Sequence, residues 1–235
     1  DARFAVFELG MNHAGEIGPL SRLVRPDIAI ITTIAPVHLQ YFASIDGIAD
    51  AKAEIFEGVV PDGIAILNRD NAYFDRLAKR AQDMGIGRVV SFGEAAGADA
   101  RLVKCVLQPD FSTVQARILG ADVSYKIGAP GRHLVLNSLA VLAAVVLAGA
   151  DLRQAAAALA EFAPAAGRGT RIALDLPGGQ ALLIDESYNA NPASMRAALA
   201  LLGQAPIGPG GRRIAVLGDM LELGPRGGEL HRELA

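Results

Sequence analysis

The chain has 235 residues, about half of them apolar, a formal charge of -3 and a single cysteine, Cys105. That length supports one large or two modest domains with a real core. The evenly spread charge, with no basic run, excludes an electrostatic footprint for nucleic acid or a membrane surface and points to small-molecule partners. One cysteine excludes an internal disulfide and fits a reducing compartment, the cytoplasm. The longest apolar stretch, residues 134–150, is interrupted by Asn137 and Ser138 and is too short and alanine-rich for a membrane span, so it reads as a buried helix. The first residues, DARFAVFELG, carry no cleavage-site pattern and run straight into a strand-like segment, and HRELA stops within a helical pattern, so the chain reads as cut at both ends.

In chain order, short apolar runs alternate with helical periods, which is the habit of a parallel sheet covered by helices. Strands are expected at residues 4–9, 28–33, 64–68 and 88–92, with helices at 16–24, 45–59 and 72–84. Between residues 101 and 127 the pattern changes to VKCVLQPD, STVQARIL and DVSYKI, an antiparallel patch on the same α/β domain. Helices follow at 134–148 and 152–162. Pro and Gly punctuate APAAGRGTR, residues 163–171, and place a boundary near Gly167: a central domain over 1–166, then the start of a Rossmann-like α/β domain over 167–235. In that second part RIALDL, ALLIDE and RIAVLGD read as strands, with a helix at 193–202.

Ligands of open α/β sheets collect at the carboxyl ends of strands. The polar residues that end apolar runs are Glu8, His38, the pair Asp185 and Glu186, and Asp219. Acids and an imidazole without a cysteine cluster suit a hard cation such as Mg²⁺ arriving with a nucleotide better than a structural zinc. No G-x-x-x-x-G-K-[ST] phosphate loop occurs in the chain. Either the protein uses none or the loop lies upstream of Asp1, and the chain as given is expected not to turn over.

Seven segments occur in one order: FELGMNHAGEI at 7–17, PVHLQYF at 36–42, AKAEIF at 51–56, GRHLVLNSLAVLAA at 131–144, GR at 167–168, DESYNANPASM at 185–195 and VLGDMLELG at 216–224. This series resembles the Mur ligases and covers nearly the whole chain. Its E-L-G-M-N-x-x-G-E-I and D-E-S-Y-N-A-N-P forms are similar to the members that add D-alanyl-D-alanine to UDP-N-acetylmuramoyl-tripeptide. The resemblance implies an ATP-dependent amide ligase of peptidoglycan synthesis, a monomer working through an acyl phosphate with Mg²⁺. It implies that Glu8 and His38 hold Mg²⁺, and that Lys52 is carbamylated by CO₂ and adds an oxygen ligand. This last role requires partial burial and a lowered pKa, because carbamate forms on the neutral amine. It further implies that Asn137 contacts adenine, that Arg168 reaches the phosphates from the linker, and that Asp185, Tyr188 and Asn189 lie beside the nucleotide. Asn191 follows in the same loop near the nucleotide, and a capping or turn role for N-A-N-P is equally natural. In the family an asparagine commonly follows the histidine of the fourth motif. Leu134 stands there, so the resemblance assigns His133 no role. The alternatives are a sibling Mur ligase, a folylpolyglutamate synthase-like ligase, or a nucleotide- or precursor-binding module without catalysis.

Overall fold

A computed structural model describes residues 2–36 and 40–234. Helix α1 (Ile17–Val24) leads into β1 (Ile28–Ile31), and α2 (Ile45–Ala53) continues as a 3₁₀ turn to Gly58 before β2 (Ile64–Asn68). Helix α3 (Phe74–Asp83), β3 (Arg88–Gly93), β4 (Ala100–Leu107), β5 (Ser112–Ile118) and β6 (Ala121–Ile127) follow. The six strands form one sheet in sequence order, parallel from β1 to β4 and antiparallel from β4 to β6. This is the expected α/β sheet with its antiparallel patch.

Alternation along the strands explains why both faces are covered. Ala29, Ile31, Ala65 and Leu67 point to a core shared with Ile17 of α1, Ile48 of α2 and Leu77 of α3. Their neighbours Ile28, Ile30, Ile64 and Ile66 point to the opposite core. There the sheet meets α4 (Arg132–Leu147) and α5 (Leu152–Ala158), through Val135, Leu139, Leu142 and Ala156. The apolar stretch at 134–150 is therefore a core helix. Among the described residues no helix is long and apolar enough to cross a membrane.

The second part holds β7 (Thr170–Leu176) and β8 (Gly179–Asp185), an antiparallel hairpin, followed by α6 (Pro192–Gln204) and a short α7 (Gly227–Arg232). Two strand expectations fail. Residues 4–9 and 213–219 carry no ladder, and Val6 and Val216 are 97% and 93% exposed. A strand is held by N–H and C=O groups on a neighbour. Among the described residues β1 ends the six-stranded sheet with no strand paired on its outer edge, and the hairpin stays two-stranded.

Candidate active site

The loop after β1 is hung from the end of β2. Asn68 donates its side-chain amide to the Thr32 carbonyl at 3.0 Å, and Asn71 donates to Thr33 Oγ1 at 3.1 Å and to the Ile34 carbonyl at 2.9 Å. From α2, Lys52 donates from Nζ to the Thr33 carbonyl at 3.1 Å. A carbonyl dipole is a weak counterpart for an ammonium. Burial lowers the Lys52 pKa from its ordinary value. Lys52 thus reaches the loop that follows the carboxyl end of β1, where an α/β sheet collects ligands.

Two residues on, Glu54 closes the other side of the same region. Its carboxylate accepts the backbone N–H groups of Gly15, Ile17 and Gly18 at 2.6, 3.2 and 3.1 Å, capping the start of α1 from 36 to 39 positions away in sequence. An anion at a helix N-terminus satisfies donors that the helix itself leaves open. Glu16 accepts instead from the N–H groups of Asn12 and His13 in the loop before α1, and these hydrogen bonds hold its carboxyl below the usual range. Sequence reasoning passed over Asn68, Asn71 and Glu54. The two asparagines stand directly behind an apolar run, the signal that singled out the other candidates, whereas Glu54 sits mid-helix and offers none.

Glu8 lies on the exposed extended segment, three residues before the buried Met11. His38 lies outside the described residues. Within the described residues no group of three or more His, Cys, Asp and Glu side chains comes together as a metal site. The Gln40 N–H donates to the Glu222 carbonyl at 3.0 Å. The 219–223 segment is itself pinned by His231, whose Nε2 accepts from the Met220 N–H at 2.9 Å while Nδ1 meets the Gly227 carbonyl at 2.7 Å. Asp219 and Glu222 therefore belong to a segment that meets Gln40.

Asn137 is exposed on α4, on the opposite face of the sheet from Lys52, one turn beyond His133. The His133 ring folds back on Gly131, where a built Cβ would meet Cε1 at 2.9 Å, and the φ of +132° there disfavours a side chain even if the ring swings away.

Arg168, Asp185, Tyr188 and Asn189 gather around one turn. Arg168 places its guanidinium 4.1 Å from the Tyr188 ring centroid, a cation–π contact. The Tyr188 N–H donates to the Gly167 carbonyl at 3.1 Å. Gly167 adopts φ +73°, and a Cβ on it would stand 2.9 Å from the Tyr188 nitrogen, so only glycine suits the position. Asp185 accepts from the Ser187 N–H at 3.0 Å, and hydrogen bonds from the Ser187 side chain and backbone hold its carboxyl below the usual range. Burial and then the Asp185 charge raise the neighbouring Glu186. Asn189 accepts from the Ala190 N–H at 2.8 Å. Asn191 caps α6 in a reciprocal box with Ser194, and Pro192 stands at the first helical position. Of the two readings of N-A-N-P, the helix start is what the fold displays at Asn191.

The Mur ligase middle domain matches residues 1–145, and the Mur ligase, glutamate ligase domain matches residues 167–235. The chain is 35% identical over 234 residues to the UDP-N-acetylmuramoyl-tripeptide--D-alanyl-D-alanine ligase of Rickettsia prowazekii (strain Madrid E), covering 100% of this chain and 51% of that protein. It is 37% identical to the ligase of the same name from Escherichia coli (strain K12), covering 97% and 48%. The crystal structure of MurF from Acinetobacter baumannii superposes with a TM-score of 0.86 at 33% identity, over 96% of this chain and 47% of that one. MurF ligase from Thermotoga maritima in complex with ADP gives 0.76 at 25% identity, over 94% and 48%. The chain spans about half the length of the curated relatives it matches. With a middle-domain match over the whole six-stranded sheet and a second match over the hairpin, α6 and α7, the chain belongs to the Mur ligase family.

Proposed function

We propose that this chain is the nucleotide-handling part of a ligase that uses ATP and Mg²⁺ to join D-alanyl-D-alanine to UDP-N-acetylmuramoyl-tripeptide. Residues 1–166 would form the central domain and 167–235 the start of the domain that closes on it. The substrates rest on the 35% identity that runs the length of the chain to a ligase of that name. The chemistry rests on one observation, the partly buried Lys52 amine that meets a carbonyl at the carboxyl end of β1.

The donor set fits the groups it would hold. Glu8, His38 and a modified Lys52 supply hard oxygen and imidazole ligands for Mg²⁺. Arg168 supplies a permanent cation for phosphate, and the Asp185 carboxylate, kept ionised, accepts from ribose hydroxyls. Asn137 offers both a donor and an acceptor to adenine. When bound, the nucleotide with its cation supplies the phosphoryl group that activates the substrate carboxylate as an acyl phosphate.

The residues themselves do three things. Burial lowers the Lys52 pKa and so favours the neutral amine, whose nitrogen would attack CO₂: an N–C bond forms, a C=O electron pair moves to oxygen and one proton leaves to water. The cation becomes an anionic oxygen ligand. Asn68 and Asn71 hold the loop after β1 that Lys52 also meets. The Gly167 turn carries Arg168 and Tyr188 as one unit, so a rotation near residues 163–168 moves them together.

In the full-length protein, phosphate release should require both UDP-tripeptide and D-alanyl-D-alanine. Lys52→Ala should cut turnover by at least about 100-fold, with partial rescue by added acetate. An unchanged rate in Lys52→Ala removes the lysine from the mechanism. Turnover with a single amino acid but not the dipeptide removes the substrate assignment.

A further inference from the structure

The open donors at the start of α1 are met from the end of another helix, not by the residue that stands at the cap. Glu16 holds the N-cap position, yet its side chain makes no cap bond there and turns back to the N–H groups of Asn12 and His13. The carboxylate that serves α1 is Glu54: one oxygen takes the Gly15 N–H at 2.6 Å, and the other takes those of Ile17 and Gly18 at 3.2 and 3.1 Å. A local Ser, Thr or Asp at the cap satisfies donors of this kind without joining anything. Bonds made from 36 to 39 positions away also fix one segment against another.

Glu54 opens the 3₁₀ turn that continues α2, two positions after Lys52 and about 3 Å from it along the helix axis. The rest of that turn is fastened to α1 as well. Ser21 donates from Oγ to the Ile55 carbonyl at 2.5 Å, and Arg22 pairs with Glu57. Gly58 lies so close to α1 that a Cβ on it would stand 2.0 Å from the Ser21 carbonyl oxygen. Upstream of Gly15, Leu9 and Met11 bring the segment that follows Glu8 onto the core that also holds Ile48, Ala51 and Phe56.

We propose that Glu54 is a positioning residue for the divalent cation, setting the end of α2, and with it Lys52, against the segment that follows Glu8; this role rests on the assignment of Glu8 and Lys52 to Mg²⁺ above. Glu54 gives the cation no ligand. It holds the backbone from which Lys52 reaches the loop after β1, where Nζ meets the Thr33 carbonyl. A long flexible stem is aimed only if its base is fixed, and loss of a residue that orients a metal ligand costs about 10–100-fold in affinity or activity. Glutamine has the size of Glu54 but one acceptor oxygen in place of two, so either Gly15 or the Ile17 and Gly18 pair would face an amide NH₂.

The test titrates a non-hydrolysable ATP analogue into the full-length protein by calorimetry, in EDTA and at rising Mg²⁺. Mg²⁺ should strengthen binding to the parent. In Glu54→Gln the Mg²⁺ concentration that gives half of this gain should rise by about tenfold or more, while binding in EDTA stays within about twofold. Glu54→Asp keeps the charge but is one methylene short, so it should fall between the two, and it carries the test if Glu54→Gln does not fold. Each variant is measured well below its thermal midpoint, where a cap that only adds stability leaves binding by the folded protein unmoved. The proposal is overturned by an unchanged Mg²⁺ requirement in the folded variant, by an equal loss in EDTA, or by a parent whose binding ignores Mg²⁺. Lys52→Ala separates the two readings. An unchanged Mg²⁺ requirement there removes the lysine from the cation and this proposal with it, whereas a raised one beside an unchanged Glu54→Gln overturns the role of Glu54 alone.

Discussion

Two kinds of apolar run occur in this chain, and only one becomes a strand. IAIL in β2 lies between β1 and β3 and buries Ala65, Ile66 and Leu67 completely, whereas FAVFEL at 4–9 and IAVLG at 214–218 are as apolar and stand in solvent. The runs differ little in composition and greatly in neighbours. A central parallel strand needs a ladder on both edges and a helix on both faces, and its sequence encodes the need without supplying the partners.

Removing core volume should expose that contrast most strongly. Phe92→Ala, at a fully buried position of β3, should destabilise the protein by about 3–5 kcal/mol in urea unfolding. A loss below about 1 kcal/mol would show that the sheet core repacks freely.

The next effect is alkaline. Burial pushes the Tyr125 hydroxyl up to about 12, against the smaller downward pull of Ser138, its partner at 2.7 Å. The folded protein therefore holds this proton where the unfolded chain, with a value near 10.0, has begun to release it. This contribution is whole below the unfolded value and is lost as pH rises through the folded one, so stability should fall between about pH 10 and 12 by roughly 2 kcal/mol from this group. Tyr125→Phe should lack this part of the fall. An identical alkaline slope in parent and variant would assign it to other groups.

Within the second part, Asn191→Ala removes the reciprocal cap of α6 and should cost about 1 kcal/mol, read as a lower midpoint of the transition that includes α6. No change would mean that Pro192 and the packing of α6 set the helix start unaided. The smallest effect belongs to the unpaired runs. Val6→Thr and Val216→Thr should each change the stability of this chain by less than about 0.5 kcal/mol. A cost near that of a core substitution would mean that these segments pair in solution.

The candidates Glu8, Asp185 and Asp219 were singled out because polar residues follow apolar runs there. Lys52 was singled out by resemblance instead, and in the fold it is partly buried with a pKa that burial lowers. Arg168 and Tyr188 come together as two parts of one turn, although they lie 20 positions apart, because Gly167 lets the chain approach the Tyr188 backbone. Glu54 and Arg171 gave no such signal. One caps a helix that begins far upstream, and the other pairs with Asp110 from 61 positions away.

Local pattern was enough to determine the helices of the first part, the strands from 28 to 127 with their change from parallel to antiparallel, and the core nature of 134–150. Those features depend on residues within a turn or a strand of one another, so periodicity and side-chain type carry them. Tertiary structure decided which apolar runs acquire ladders, which carboxylate serves the start of α1, how Asn68 and Asn71 suspend the loop after β1, and that Arg171 keeps a buried guanidinium donor unmet. Each depends on a partner brought from tens of residues away, and side-chain type says what a group needs but not which distant neighbour meets it.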